Sequence, residues 1–210
     1  MYFRILLFTW GFSFIFAEIL GILFYYLFST INMGQVLVYV ISDMVIVTVR
    51  FSSLLYFSKM SRVSLADAIY KPLRMNRSIL LCLIICIVLL DYLLTMSTYG
   101  VYKPQLLDYN YYVEKGLLWG FPFKILYYLS EIIVMNYMYI LAKNTWSFTK
   151  HHITSGTLFL ILGWALLHIF AKNVLVAFYA VVLVILFYLG YEYTGSPLTP
   201  IILWFTVLIV

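Results

Sequence analysis

Ser78-Ile79-Leu80-Leu81-Cys82-Leu83-Ile84-Ile85-Cys86-Ile87-Val88-Leu89-Leu90-Asp91-Tyr92-Leu93-Leu94-Thr95-Met96 is an apolar run with one carboxylate, Asp91, toward its far end. As a helix it reaches roughly 28 Å at 1.5 Å per residue, close to the ~30 Å thickness of a bilayer core. Six further runs of the same kind bring the total to seven: 5–28, 34–58, 78–96, 117–142, 153–171, 174–190 and 197–210. The last is fourteen residues long, or roughly 21 Å as a helix, too short for a full crossing unless the bilayer thins around it. Cys82 and Cys86 fall four apart on one face of the quoted run. They read as small apolar packing residues rather than as a disulfide or a metal pair.

Whole-chain composition agrees. The 210 residues are 65% apolar and 10% charged, with a mean hydropathy of +1.03. A soluble domain carries about 25% charged residues. So little polar surface excludes a water-soluble globule and predicts an all-α, polytopic transmembrane bundle of about seven spans. Residues 1–210 form a single integral membrane domain, since no polar stretch is long enough for an independent core. The first apolar run is about twice the length of a signal-peptide core and lacks a small-x-small cleavage pattern, so it reads as a retained span.

The thirteen basic residues set the expected orientation. With the N-terminus cytoplasmic, Arg4, Lys59, Arg62, Lys71, Arg74, Arg77, Lys143 and Lys150 lie inside. Lys103, Lys115 and Lys172 lie outside, and Arg50 and Lys124 fall within spans. Five of the inside set crowd the loop from Lys59 to Arg77, where Ser64-Leu65-Ala66-Asp67 has the form of a capping box and Pro72 stops any helix. That loop sets topology or touches lipid headgroups or a partner. Between Ser97 and Gly116, the tyrosines Tyr99, Tyr102, Tyr109, Tyr111 and Tyr112 read as an interfacial belt or a partner surface. The net charge of +5 fits attraction to an anionic inner leaflet, not a nucleic-acid surface. No nucleotide-binding glycine loop and no soluble zinc-ligand cluster occurs, so neither cofactor nor metal is expected.

Charge at membrane depth costs at least about 2.5–3.5 kcal/mol per residue, so each instance needs a partner, water or a task. Glu18, Asp43, Asp91 and Glu131 lie within spans, as do Arg50, Lys124 and His168. Asp43 and Arg50 share a helix face but sit about 10 Å apart along it. That is too far for a direct pair without long side-chain reach, and either can pair with a neighbour on another helix. For Glu18 and Asp91 interhelical hydrogen bonding is the simple reading. Lys124 lies near a span end, where its stem can snorkel. Glu131 and His168 fall mid-span on consecutive segments joined by a short loop. A carboxylate and an imidazole that meet at depth either tie two helices together or activate water.

The C-terminal third carries a further pattern. Gly190-Tyr191-Glu192-Tyr193-Thr194-Gly195-Ser196-Pro197-Leu198-Thr199-Pro200-Ile201-Ile202-Leu203-Trp204 runs from a Gly-Tyr helix end through a Thr-Gly-Ser turn into a proline-started apolar helix. Trp164-Ala165-Leu166-Leu167-His168 precedes it, and Ser130-Glu131-Ile132-Ile133-Val134-Met135 precedes that. Intervals of 37 and 36 residues separate Glu131, His168 and Trp204. Over about residues 117–210 this order resembles the CPBP family, the multipass membrane proteins that include type II CAAX prenyl endopeptidases and bacteriocin-processing or self-immunity proteins.

The family's motifs are Glu-Glu-x-x-x-Arg, an aromatic residue three spacers before a histidine, and a histidine three spacers before an asparagine. The resemblance implies a catalytic water inside the membrane held by the glutamates and histidines, with the asparagine steadying an oxyanion. Here the second motif is intact. The first keeps Glu131 but has Ser130 and Met135 for its other glutamate and its arginine. The third has Trp204 and Leu208 for its histidine and asparagine. Indole offers a donor and no base. Loss of an oxyanion donor costs about 10²–10³ in rate, and loss of a base a comparable factor.

The expectation is therefore a catalytically degenerate CPBP-like protein that works by binding a membrane-protein partner as scaffold, assembly subunit or modulator. It would sit in the lipid bilayer of a prokaryotic plasma membrane, with Trp204 filling the old cavity. Two rivals stand beside it. One is an active intramembrane hydrolase using Glu131 and His168, with Ser130, Asn136 or Asp91 supplying missing groups. The other is an accessory subunit of a membrane enzyme or transporter in which Glu18, Asp43 and Asp91 serve ion movement.

Overall fold

The computed structural model describes residues 2–31, 34–61, 63–71, 77–99, 118–145, 154–171 and 173–209. The tyrosine-rich loop and Lys103, Lys115, Lys150 and Lys172 lie outside the described residues, as do Arg62 and Arg74. Every described element is a helix. The first span begins as α1 (Tyr2–Trp10), widens into an i→i+5 turn over Gly11–Phe16 and continues as α2 (Ala17–Ser29). Next come α3 (Gln35–Ser61), the short α4 (Leu65–Ile69) and α5 (Arg77–Tyr99). A single turn at Leu118–Gly120 leads into α6 (Phe121–Thr145). The segment α7 (Ser155–Leu160) passes through a second wide turn, Ile161–Ala165, to α8 (His168–Ala171). The chain ends with α9 (Val174–Thr194) and α10 (Leu198–Ile209).

Among the described residues, five helices are long and apolar enough to cross a membrane: Phe3–Ser29, Gln35–Ser61, Ser78–Ser97, Leu118–Thr145 and Val174–Thr194. The other two expected segments form the shorter apolar helices Ser155–Phe170 and Leu198–Leu208. Two features limit the first of these: the wide turn at Ile161–Ala165 interrupts its regular winding, and Asn173 caps the next helix by accepting from Val176 N at 2.9 Å.

Helix α6 is the hub. It packs on α1, α3, α4, α7 and α10, and 61% of its most apolar window is buried, against 17% for α5. In a bilayer, where lipid tails are as apolar as Leu, such packing rests on close contact and interhelical hydrogen bonds. Helices α2 and α3 form an antiparallel hairpin whose close approach depends on Gly21. A Cβ there would meet the Ile46 side chain at 2.5 Å. Cys82 and Cys86 are free and exposed on α5, facing outward rather than packed.

Two local patterns form as their residues dictate. Ser64 Oγ accepts from Ala66 N at 3.1 Å while Ser64 N donates to Asp67 Oδ2 at 3.2 Å, which closes the capping box of α4. At the Thr-Gly-Ser turn, Gly195 adopts φ 63° and its N–H donates to Tyr191 O at 2.7 Å. Ser196 N donates to Thr194 Oγ1 at 3.2 Å, and Leu198 N donates to Ser196 Oγ at 3.3 Å, which starts α10. Replacing Gly195 with Ala forces a Cβ into the left-handed region, and we expect a loss of about 1 kcal/mol in thermal unfolding followed by circular dichroism. Gly34→Ala, where a Cβ meets nothing within 4 Å, should leave the same melt unchanged.

Candidate functional site

Arg50 is fully buried on α3 and spends its guanidinium on three other elements. Nη2 donates to Glu18 Oε1 at 2.7 Å. Nε donates to Ser13 O, in the wide turn of the first span, at 3.3 Å. Nη1 reaches Tyr127 O at 3.2 Å and Ser130 Oγ at 3.1 Å on α6. The Tyr127 ring lies 4.6 Å from the guanidinium carbon, and its hydroxyl donates to Glu18 Oε1 at 3.0 Å. Toward the start of α6, Lys124 Nζ meets Asp43 Oδ1 at 3.4 Å and stands 4.5 Å from the same tyrosine ring. Thus Asp43 and Arg50 each take a partner from a different helix, as their spacing allows. Lys124 is paired rather than snorkelling.

Lys124, Tyr127 and Glu131 follow at i, i+3 and i+7 along α6, so one face carries all three. Glu131 is within electrostatic range of both Glu18 and Arg50. Its direct partner comes from the opposite side: Trp164 Nε1 donates to Glu131 Oε1 at 2.9 Å. His168 Nδ1 is bonded to Trp164 O at 3.1 Å, and its ring packs edge-on against the Trp164 indole at 4.7 Å between centroids. A carbonyl can only accept, so Nδ1 carries a proton. Glu131 and His168 therefore meet the same indole, and among the described residues no hydrogen bond joins them directly.

Trp204 comes to the same place. Its ring lies 5.9 Å from Trp164, 5.8 Å from Phe187 and 6.3 Å from Tyr128, each steeply tilted. Such edge-to-face pairs are each worth about 0.5–1.5 kcal/mol beyond burial. Its Nε1 is buried and has no hydrogen-bond partner among the described residues. Met135 and Leu208 are buried apolar residues of the main core. The structure thus gathers Glu131, Trp164, His168 and Trp204 into one locus, with the Trp164 indole touching the carboxylate, the imidazole and the second indole.

The groups offered as substitutes are engaged. Ser130 Oγ donates to Tyr127 O at 2.7 Å while accepting from Arg50. Asn136 Nδ2 donates to Ala68 O at 3.0 Å and Pro197 O at 3.1 Å, and Oδ1 accepts from Tyr188 at 3.1 Å. Asp91 Oδ1 accepts from Tyr179 at 2.6 Å, joining α5 to α9. Sequence reasoning missed Tyr127 and the donor role of Trp164. The first had a signal in its helical spacing from Lys124 and Glu131; the second had none, because it needs the packing of α7 on α6. Among the described residues no group of three or more His, Cys, Asp or Glu side chains is placed to hold a metal ion.

The class defined is an all-helical chain with membrane-length apolar helices around a buried ionic and aromatic core. No family model, no curated protein and no solved structure matches this chain.

Removing one member of a buried charge pair strands the other, at about 3–5 kcal/mol. Glu18→Ala, which strands the fully buried Arg50, should destabilise by that amount in a detergent melt, while Arg50→Met combined with Glu18→Leu should recover most of it. Trp204→Phe keeps the aromatic contacts and removes an unpaired N–H, so its melt should match or exceed that of the native chain. Trp204→Ala should lose about 3–5 kcal/mol.

Proposed function

We propose that this chain is a membrane-embedded binding protein that acts through a partner membrane protein, as a scaffold, assembly or modulatory subunit, on a degenerate CPBP-like frame. The observation that carries the reading is the Trp164 indole, bonded to Glu131 and wedged by Trp204, lying between the retained acid and the retained imidazole. A hydrolytic site needs base and water in line with a scissile bond. Here the carboxylate accepts a structural hydrogen bond and the imidazole packs on the ring that makes it. Seven hydrophobic segments with a cytoplasmic N-terminus form the proposed topology, supported by the excess of basic residues on one side. A prokaryotic plasma membrane follows from the family resemblance.

The row Asp43–Lys124, Arg50–Glu18 and Glu131, with the Glu18 side chain 38% exposed, favours one alternative: an accessory subunit whose acids serve ion movement. Stoichiometric isolation with a transporter whose flux falls on Glu18→Gln would select it.

The test of the main reading is Glu131→Gln with His168→Gln, since Gln retains an acceptor for the Trp164 N–H. The variant should express normally, bring down the same stoichiometric partner in mild detergent and keep the cellular activity. Loss of that activity with expression and complex intact would instead assign chemistry to the pair.

A further inference from the structure

The first span and α3 leave a groove on their outward side, and neither Glu131 nor Trp164 lines it. It encloses about 620 Å³. Phe8 and Phe12 form one wall; Thr48, Ser52, Tyr56 and Met60 form the stripe opposite. Both stripes step by four residues, so each is one face of its helix. From Thr48 to Met60 the groove runs roughly 18 Å, a little more than half the ~30 Å bilayer core. Its length therefore matches one leaflet. The space suits a single extended hydrocarbon chain.

The charge at one end identifies what that chain is attached to. The first span and α3 are consecutive and antiparallel, so the start of one and the end of the other lie at the same face. Arg4 continues the Phe8–Phe12 stripe by one turn, and Lys59 adjoins Met60. Both are exposed, and among the described residues neither forms an ion pair. The nearby acid in sequence, Asp67, is engaged in the capping box of α4. The loop that follows adds Arg62, Lys71, Arg74 and Arg77 in sequence. An apolar slot one leaflet long, ending at cations that lack acidic partners, fits a lipid with a negative headgroup.

We propose that this groove seats one acyl chain of an anionic glycerophospholipid, with its phosphate held by Arg4 and Lys59. The site is independent of the partner-binding reading above. Interfacial cations contribute about 1 kcal/mol each, a factor of about five in affinity.

Native mass spectrometry of the full-length protein in mild detergent, titrated with dioleoyl-phosphatidylglycerol and separately with dioleoyl-phosphatidylcholine, tests this. One phosphatidylglycerol should be retained in preference to phosphatidylcholine. Arg4→Gln with Lys59→Gln should weaken that retention about thirty-fold. Ser52→Trp fills the groove, leaves both cations in place and alters an exposed position, so it should abolish retention even if the charge variant fails to insert. Equal retention of the two lipids, or undiminished phosphatidylglycerol retention by a folded Ser52→Trp protein, overturns the proposal and leaves the groove in contact with bulk lipid alone.

Discussion

The burial of Arg50 is the constraint around which the first span, α3 and α6 arrange themselves. A guanidinium with five donors cannot enter an apolar interior alone. Its demand explains otherwise unrelated features: a carboxylate halfway along the first span, a wide turn that presents the Ser13 carbonyl, a tyrosine carbonyl, and a serine on α6. Each acceptor lies on an element that must then hold its depth and rotation. The ion pair with Glu18 contributes little net stability by comparison with an apolar pair, because desolvation offsets most of the attraction. Its effect is register. A shift of α3 by one residue turns the guanidinium about 100° away from its acceptors.

The second wide turn is joined to the first span by the same kind of bond. Trp10 Nε1 donates to Gly163 O at 2.6 Å, so the interrupted segment is held from outside as well as by its own winding. The next residue is Trp164, whose side chain reaches Glu131. The ionic core and the aromatic locus are thus two ends of one network that runs Arg50, Ser130, Glu131, Trp164, Trp204 across α3, α6, the second wide turn and α10. Trp204 closes it with packing alone.

Much of this was legible in the chain. Apolar run lengths gave all five membrane-length helices to within a few residues at their starts, and Ser64–Asp67 gave the cap of the short α4. Gly195 gave the turn before α10, because that backbone conformation suits a residue without Cβ. That Asp43 and Arg50 could pair with other helices followed from their separation. The partners themselves did not, since a run of apolar residues states that a helix is buried in lipid or protein without stating its rotation. That is why Cys82 and Cys86 were expected to pack and face outward instead. For the same reason Asn136 read as a spare catalytic group, although its three bonds hold α4, α9 and the turn before α10.

That last residue has a consequence for how the molecule is made. Asn136 sits in the buried centre of the bundle, but one of its acceptors, the Pro197 carbonyl, is synthesised sixty-one residues later. Ser196 closes on Lys71 O at 2.5 Å in the same region. Until the final turn arrives, an amide at the core and a carbonyl in the basic loop both wait for their bonds. The turn before α10 is therefore the fastener of the bundle, since it closes bonds that α6 and the segment after α4 otherwise leave open.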